Sequence, residues 1–319
     1  MRPRIRTAAP QLVGVLALLA SWGAIQAGNA FGNEFHDFAC EDPYTGQAAP
    51  TYGWSYQAGS SGYGDGAGSN CSGGNGAISA YMDGAVTHAF GEAGVATFTA
   101  PGALTIDAFK LWRYEAVGPS EPYASPATGV YYFPGSVSVD GLCAQSNGCV
   151  SKGTSQNRLA AQNQLSVSNL SGTTNIQAVA MCGGGPGTPN TCPASNAESG
   201  NSAEIDLYAA DITLSDPTLP SVTNVSGPLV SGNTLSGNVS IAFTATDNDG
   251  PGIYSGTISV DGQPVVTRIL DTNGGACQSL GATNDGLRSF NAPQPCKPQV
   301  SSLLTLDAAQ LQPGIHESL

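Results

Sequence analysis

Two acidic residues separated by one residue, Glu204 and Asp206, lie in the stretch EIDLYAAD, which ends at Asp211. On a β-strand, residues two positions apart project from the same face, so this pair would place two carboxyl groups side by side. Two carboxyl groups about 5 to 5.5 Å apart act as nucleophile and acid/base in a retaining glycoside hydrolase. The stretch therefore raises the hypothesis of sugar cleavage.

The residues that follow the two acids weaken this hypothesis. The tetrapeptide EIDL, residues 204–207, resembles the start of the catalytic strand of laminarinase-like glycoside hydrolases of the jelly-roll type. That resemblance implies an acid/base glutamate one or two residues later, where this chain has Tyr208 and Ala209. Neither side chain can exchange a proton as glycosidic cleavage requires. We therefore predict a solvated polar face without catalytic residues, and we keep hydrolysis as the alternative.

The apolar residues of the same stretch change parity midway. Ile205 and Leu207 are odd-numbered, whereas Ile212 and Leu214 are even-numbered. A β-bulge, in which one strand carries an extra residue, would turn both pairs toward one core. We predict it near residues 209–211, where it returns Asp211 to the face of the first two acids.

A second candidate site lies in the stretch FKLWRY. Lys110, Trp112 and Tyr114 alternate there with apolar residues and are predicted to project from the polar face of a strand. Large rings beside a cation could stack on sugar rings, and Trp54 in TYGWSY belongs to a similar pattern. We predict these four residues as ligand-binding residues. The alternative is that the rings cover the sheet or fill a core layer, because Trp is highly buried on average.

No cofactor or metal signature accompanies these candidates, and we predict neither. A G-x-S-x-G elbow is absent from the sequence. His36 lies among acids that could bind a metal if they fold together, but the prediction is an exposed acidic N-terminal segment. His88 is predicted to be a strand residue satisfied by its neighbours. The stretch DNDG, residues 247–250, fails the EF-hand pattern and predicts a β-turn, with a different kind of calcium site as the alternative.

The cysteine count is even, which in a secreted chain predicts disulfides. Pairing between neighbours in sequence is the simplest of many possible connectivities. Metal ligation is the weaker alternative, because the chain has no CxxC pair. The expected pairs are Cys40 with Cys71, Cys143 with Cys149, Cys182 with Cys192, and Cys277 with Cys296.

The first 30 residues have the layout of a secretory signal peptide. Three arginines precede the apolar run LVGVLALLASWGAI, and small residues follow at Ala27 and Ala30, the predicted cleavage sites. The run is shorter than the roughly 20 residues of a membrane span, and no later segment is long and apolar enough. We predict a secreted protein, extracellular or at the cell surface, with no membrane span in the mature chain.

The charge of the chain excludes one class of partner. The formal net charge is −13, and loss of the three leader arginines makes the mature value −16. Such a field repels phosphate backbones, so nucleic-acid binding is disfavoured. Only 10% of the residues are charged, and 42 of the 319 residues are glycine. This composition suits an extracellular β protein.

The segments between the turns read as short strands throughout, which predicts an all-β protein. GVATFTAPG, ATGVYYF, NIQAVAMC and VSIAFTATD are representative of them. The proline-containing segment SDPTLPSV, residues 215–222, predicts a domain boundary. We predict three parts, residues 1–30 as the signal peptide, 31–216 as a jelly-roll-like (concanavalin-like) β-sandwich, and 217–319 as an Ig-like β-sandwich.

Several of these stretches resemble a largely uncharacterised group of secreted bacterial surface proteins. NVSGPLVSG, SIAFTATDNDGPGI, SGTISVDGQ and LQPGIH are similar to their Ig-like domain, and GVATFTAPGALTIDAFKLWRY is similar to their N-terminal domain. The resemblance implies a disulfide-containing jelly-roll-like domain followed by an Ig-like one. In that group further strands follow the PG-x-H turn, whereas this sequence ends at Leu319, so we expect an incomplete C-terminal sandwich.

Together these observations predict a secreted, non-enzymatic binding or adhesion protein with possible glycan recognition. Its expected partner is an extracellular glycan or a surface protein. The alternatives are a laminarinase-like hydrolase and a purely structural spacer.

Overall fold

The computed structural model describes most of the chain. The described residues are 4–8, 12–17, 34–58, 65–73, 75–118, 125–133, 137–140, 143–144, 148–183, 191–194, 200–231 and 235–312. The predicted cleavage sites at Ala27 and Ala30, the middle of the glycine-rich stretch 57–77 and the end of the chain after residue 312 lie outside them.

These residues form strands joined by turns, so the predicted all-β class is confirmed. The strands are β1 Arg4–Ala8, β2 Leu12–Ala17, β3 Glu34–Glu41, β4 Ala48–Ala49, β5 Trp54–Gln57, β6 Gly66–Ser69, β7 Ile78–Asp83, β8 His88–Ala89, β9 Ala93–Thr99, β10 Thr105–Val117, β11 Ser125–Phe133, β12 Val137–Ser138, β13 Cys143–Ala144, β14 Ser151–Lys152, β15 Gln164–Thr173, β16 Asn175–Gly183, β17 Thr191–Cys192, β18 Asn201–Ser215, β19 Ser221–Ser226, β20 Asn238–Thr246, β21 Ser255–Val260, β22 Gln263–Ile269, β23 Gly281–Ala282, β24 Arg288–Phe290 and β25 Gln299–Asp307. Single 3₁₀ turns occur at Cys71–Gly73, Ala161–Asn163, Pro228–Val230, Asn273–Gly275 and Ala308–Gln310.

The chain divides into two compact units. The first unit consists of Glu34–Ser215 and Ser279–Pro293, and the second holds Met1–Asn33, Asp216–Gln278 and Gln294–Leu319. Strands β1 and β2 pair with each other within the predicted signal peptide. No helix among the described residues is long and apolar enough to cross a membrane.

Two sheets make the first unit a β-sandwich. The larger has ten strands around the path β14-β10-β18-β3-β24-β23, and the smaller has six around β12-β11-β16-β9-β5. From β9 to β11 and from β15 to β18 the long strands belong alternately to one sheet and the other, as in a jelly roll. Their facing side chains form the core, which includes Phe98, Ile176, Phe109, Leu111, Ile205 and Ile212.

Strand β18 contains the predicted bulge, one residue earlier than expected. Trp112 of β10 pairs with Ala209 and the next residue pairs with Leu207, so Tyr208 is the extra residue. The register on both sides keeps the apolar residues of β18 in the core. It turns Glu204, Asp206 and Asp211 to the opposite face, as predicted.

Strand β3 corrects one expectation. His36 was predicted to lie in an exposed acidic segment, but β3 pairs with β18 inside the ten-stranded sheet. Only 2% of His36 and 1% of Asp37 are exposed. The prediction failed because two polar residues, His36 and Asp37, stand side by side between Phe35 and Phe38. This pattern does not look like a strand, although both polar residues are buried in one.

All eight cysteines form disulfides, which confirms the prediction. The bonds join Cys40 to Cys71, Cys143 to Cys149, Cys182 to Cys192, and Cys277 to Cys296. Each bond closes a short loop, which lowers the conformational entropy of the unfolded chain.

The second unit is also built from strands. A three-stranded sheet of order β19-β20-β25 and the hairpin β21–β22 share a core that includes Val239, Ile258 and Leu304. The DNDG stretch forms the predicted turn, in which the carboxylate of Asp247 accepts hydrogen bonds from the backbone N–H groups of Gly250 and Gly252.

A buried ion network lies inside the first unit. The Arg113 Nε atom donates to Glu115 Oε1 at 3.0 Å and to Asp140 Oδ2 at 2.5 Å, and Thr128 donates to the other oxygen of Glu115. Burial, with the hydrogen bond to Asp140, raises the pKa of Glu115 to about 7. Burial also raises the pKa of Asp140, but hydrogen bonds from Glu115, Arg113 and Lys152 outweigh burial and lower that pKa to about 2.

Replacing Arg113 with leucine should therefore destabilise the first unit. We expect the free energy of unfolding to fall by about 3–5 kcal/mol, because two buried acids lose a shared cation. Lys110→Leu is the control, since the Lys110 ammonium is 43% exposed and should contribute less than about 1 kcal/mol. Urea unfolding followed by tryptophan fluorescence measures both changes, and equal effects would contradict the prediction.

Candidate functional site

The candidate site lies on the outer face of the ten-stranded sheet, the face turned away from the six-stranded sheet. Two rows of side chains cross strands β15, β10, β18 and β3 there. In that strand order, the first row is Ser166, Lys110, Asp211 and Phe38. The second row is Ser168, Ala108, Thr213 and His36.

A cleft opens over these rows. Its volume is about 270 Å³, and its lining is Ala108, Phe109, Lys110, Ser166, Val167, Ser168, Asp211 and Thr213. Small side chains form much of this lining, so the polar groups of Lys110 and Asp211 stand beside open space. An open cleft with a few fixed polar groups is the usual form of a small-ligand site.

Asp211 is the centre of the polar network. Its Oδ1 atom lies 2.5 Å from His36 Nδ1, and its Oδ2 atom accepts a hydrogen bond of 2.7 Å from the Tyr44 hydroxyl. The Lys110 ammonium is 3.9 Å from Oδ2 and 3.4 Å from the Tyr44 oxygen. Asp211 is 1% exposed, so these contacts hold a buried carboxylate in a fixed orientation.

His36 links this carboxylate to a second acid. Its Nε2 atom lies 3.0 Å from Asp285 Oδ2, on the turn between β23 and β24. Burial alone lowers the pKa of His36, but the hydrogen bonds and charges of Asp211 and Asp285 outweigh burial and raise it. The imidazole therefore gains positive charge between two carboxylates.

Tyr44 provides an aromatic surface at the same place. Half of the residue is exposed, and its ring lies 5.6 Å from the ring of Phe38. Asp42 accepts hydrogen bonds from the N–H groups of Tyr44 and Thr45 and so fixes the turn that presents the ring. Burial and the hydrogen bond to Asp211 raise the pKa of Tyr44, which keeps the hydroxyl protonated.

The four predicted ligand residues do not all lie at the cleft. Lys110, Trp112 and Tyr114 follow the outer face of β10, and Lys110 lines the cleft. Trp112 is only 8% exposed, and Tyr114 lies opposite Asp206. Trp54 belongs to β5 of the other sheet, where it is 8% exposed and its ring lies 5.7 Å from Phe98. The structure therefore does not bring Trp54 to the cleft.

Tyr44 and Asp285 were missed by sequence reasoning. The stretch DPYTG, residues 42–46, carries a recognisable turn signal that could have marked Tyr44 as exposed. Nothing local indicates that the Tyr44 hydroxyl meets Asp211, which is 167 positions away.

The two acids of the hydrolase hypothesis lie farther along β18. Ser79 donates to Asp206 at 2.5 Å, and Asn201 donates to Glu204 at 3.0 Å. Burial, with the neighbouring charge and hydrogen bond of Glu204, raises the pKa of Asp206 to about 7. Both carboxyl groups are thus held by polar side chains of the same sheet.

The bulge residue occupies the position that a hydrolase would need for proton transfer. Tyr208 is 5% exposed, and the Arg158 guanidinium lies 5.1 Å from the centre of its ring. Arg158 also pairs with Glu41 at 2.8 Å. The described residues next to the acids thus form a covered structural cluster.

The raised pKa of Asp206 predicts a pH dependence of stability. The folded state retains a proton that the unfolded state, with an ordinary pKa near 3.8, has lost. Stability from this group is therefore complete below about pH 4 and is lost as the pH rises through about 7. Between pH 5 and pH 8 this group should lower the free energy of unfolding of the wild-type protein by about 2–3 kcal/mol, and Asp206→Asn should abolish that decrease.

Thermal unfolding of both proteins at the two pH values measures this difference. Glu204→Gln provides a second arm, because removing the neighbouring charge should shift the transition to lower pH. An identical pH dependence in wild type and Asp206→Asn would refute the assignment.

Comparison with known proteins adds little to this site. No protein-family description matches the sequence, and no curated protein matches it. Among solved structures, a carbohydrate-binding module studied for specific mannan recognition, TmCBM27, is similar over 51% of this chain and 89% of its own, with 10% identity and a TM-score of 0.26. PNGF-II is similar over 76% of this chain and 61% of its own, with 10% identity and a TM-score of 0.18. These scores are too low to bear on function.

Proposed function

We propose that this protein is a non-enzymatic, extracellular glycan-binding protein whose sugar site is the Lys110–Asp211 cleft. The observation that carries the proposal is the half-exposed ring of Tyr44 beside a fixed carboxylate and an ammonium group. An adhesive role at a bacterial surface would follow if the glycan belongs to another cell.

The chemistry of the cleft fits sugar hydroxyls. A carboxylate offers about four acceptor positions, and His36 and Tyr44 occupy two of those on Asp211. A sugar hydroxyl can accept a hydrogen bond, strengthened by charge, from the exposed Lys110 ammonium, while the buried Asp211 holds Tyr44 and Lys110 in place. The serine and threonine side chains of the lining add neutral donors and acceptors.

The aromatic contribution comes from Tyr44 in this proposal. Its hydroxyl is held by Asp211 and its ring is supported by Phe38, so little conformational entropy is lost on binding. A flat apolar ring can cover the C–H face of a sugar while the polar groups bind its edge. Trp112 has too little exposed surface for the same task and supports the sheet instead.

The disulfides support the extracellular part of the proposal. Four bonds joining all eight cysteines require an oxidising environment to form and persist. The signal-peptide pattern of the first 30 residues agrees with export. In this proposal the second unit is an Ig-like spacer that presents the first.

Loss of the Tyr44 ring should weaken glycan binding. A glycan-array screen of the wild-type protein identifies the ligand, and titration calorimetry measures its affinity. We expect Tyr44→Ala and Lys110→Ala each to lower affinity at least about tenfold, equivalent to about 1.4 kcal/mol. Tyr52→Ala is the matched control, because Tyr52 is 61% exposed, whereas Tyr44 is the tyrosine that contacts Asp211 and Lys110.

Two outcomes would reject the proposal. Binding that survives both Tyr44→Ala and Lys110→Ala would place the sugar elsewhere. Absence of any ligand on a broad array would favour the structural-spacer alternative.

The hydrolase alternative has its own test. We expect no release of reducing sugar from β-glucans, because Tyr208 stands where the required acid would be. Reducing-end assays on wild type and Glu204→Gln check this expectation. Turnover that Glu204→Gln abolishes would establish a hydrolase.

A further inference from the structure

Three side chains that the proposed sugar site does not use converge at the other end of the first unit. Asp65 precedes β6, His88 opens β8, and Glu92 precedes β9. One ligand atom from each lies within 4.8 Å of the other two. The His88 side chain is fully buried, and those of Asp65 and Glu92 are 1% and 10% exposed.

The hydrogen bond on the far side of His88 fixes its proton. The Nε2 atom lies 2.6 Å from the backbone oxygen of Asp83. A carbonyl oxygen only accepts, so Nε2 carries a hydrogen, and Nδ1 is the ring atom that could bind a metal through its lone pair. Metal-binding histidines commonly donate their second N–H to a carbonyl or carboxylate in this way.

The lone pair of Nδ1 faces oxygen atoms. Nδ1 lies 2.6 Å from Asp65 Oδ1 and 3.5 Å from Glu92 Oε2. Nδ1 and both carboxylate oxygens of Asp65 are buried, and apart from the ion-pair contact between Nδ1 and Oδ1 none has a hydrogen-bond partner among the described residues. Buried polar atoms without partners are costly, and a cation would satisfy these three together.

We propose that Asp65, His88 and Glu92 bind a divalent transition-metal ion of the zinc class. Imidazole nitrogen favours zinc and its neighbours, whereas calcium takes six to eight oxygen ligands, more than the described side chains supply. Zinc bonds of about 2.0–2.2 Å fit one nitrogen and two carboxylate oxygens, with water as the fourth ligand. The Nδ1–Oδ1 distance must then open to about 3.3 Å, the separation of tetrahedral ligands.

A disulfide holds the site in place. Cys192 pairs directly with His88 between strands β17 and β8. Its disulfide partner, Cys182, donates its backbone N–H to the backbone oxygen of Glu92, and its own backbone oxygen accepts from the Gly91 N–H, both at 2.9 Å. Because both halves of the bond contact the ligand-bearing turn, the site is organised before the ion arrives. We assign the ion a structural role at this end of the sandwich.

Calorimetry with zinc alone tests the proposal on the full chain after treatment with a chelator and dialysis. We expect one saturable site, a cobalt complex with visible d–d absorption, and a rise in Tm of about 5–10 °C at a hundredfold excess over Kd. Glu92→Gln should weaken zinc binding at least tenfold, because it removes one ligand charge, while the glutamine oxygen can still accept the hydrogen bond from the Ala89 N–H.

Glu34→Gln is the matched control, an identical change at an exposed residue of the same unit, and should bind zinc as wild type does. Absence of saturable binding would show that His88 and Asp65 share only a proton, and would overturn the proposal. Equal affinity in wild type and Glu92→Gln would overturn it as well. Neither result depends on a sugar ligand, so this test and the glycan test fail separately.

Discussion

The first unit depends on one extra residue in its longest strand. Strand β18 has to place Ile205 and Ile212, residues of opposite parity, in a single core. The bulge at Tyr208 makes this possible, and it coincides with a change of partner from β7 to β3 along one edge of the strand. Without the bulge, one half of the strand would turn its apolar side outward and its acids inward. The outer polar face and the core therefore have a common origin.

The buried charged groups on the two faces of this sheet have different kinds of partner. On the inner face, Arg113, Glu115 and Asp140 satisfy one another, and the pKa of Glu115 is raised while that of Asp140 is lowered. On the outer face, Asp211 is equally buried but its partners, Tyr44 and Lys110, reach the solvent. The first arrangement specifies packing, whereas the second leaves polar groups at the edge of open space. This contrast distinguishes the candidate site from the other buried ions.

Sequence patterns correctly predicted the features that depend on residues close together in the chain. The alternation of apolar residues in β18 located its core face and its bulge, and the even cysteine count with short spacings gave the disulfides. Strand β3 was missed because its consecutive polar residues, His36 and Asp37, break the alternation typical of a strand, and their burial depends on partners distant in sequence. For the same reason, only some of the residues at the cleft were predicted. Lys110 was chosen from its strand, whereas Tyr44 reaches Asp211 only after the chain has folded.

The parallel pairing of β24 with β3 also limits how this chain can be divided. The segment Ser279–Pro293 belongs to the first unit, although the chain on both sides of it belongs to the second. The Cys277–Cys296 disulfide closes the loop that contains this segment. A gene fragment ending at Ser215 would lack β24 and leave part of β3 as an unpaired edge, open to aggregation. Dividing the gene at the interdomain linker would therefore not give two sequences that each encode a complete unit. The two units are expected to be inherited together.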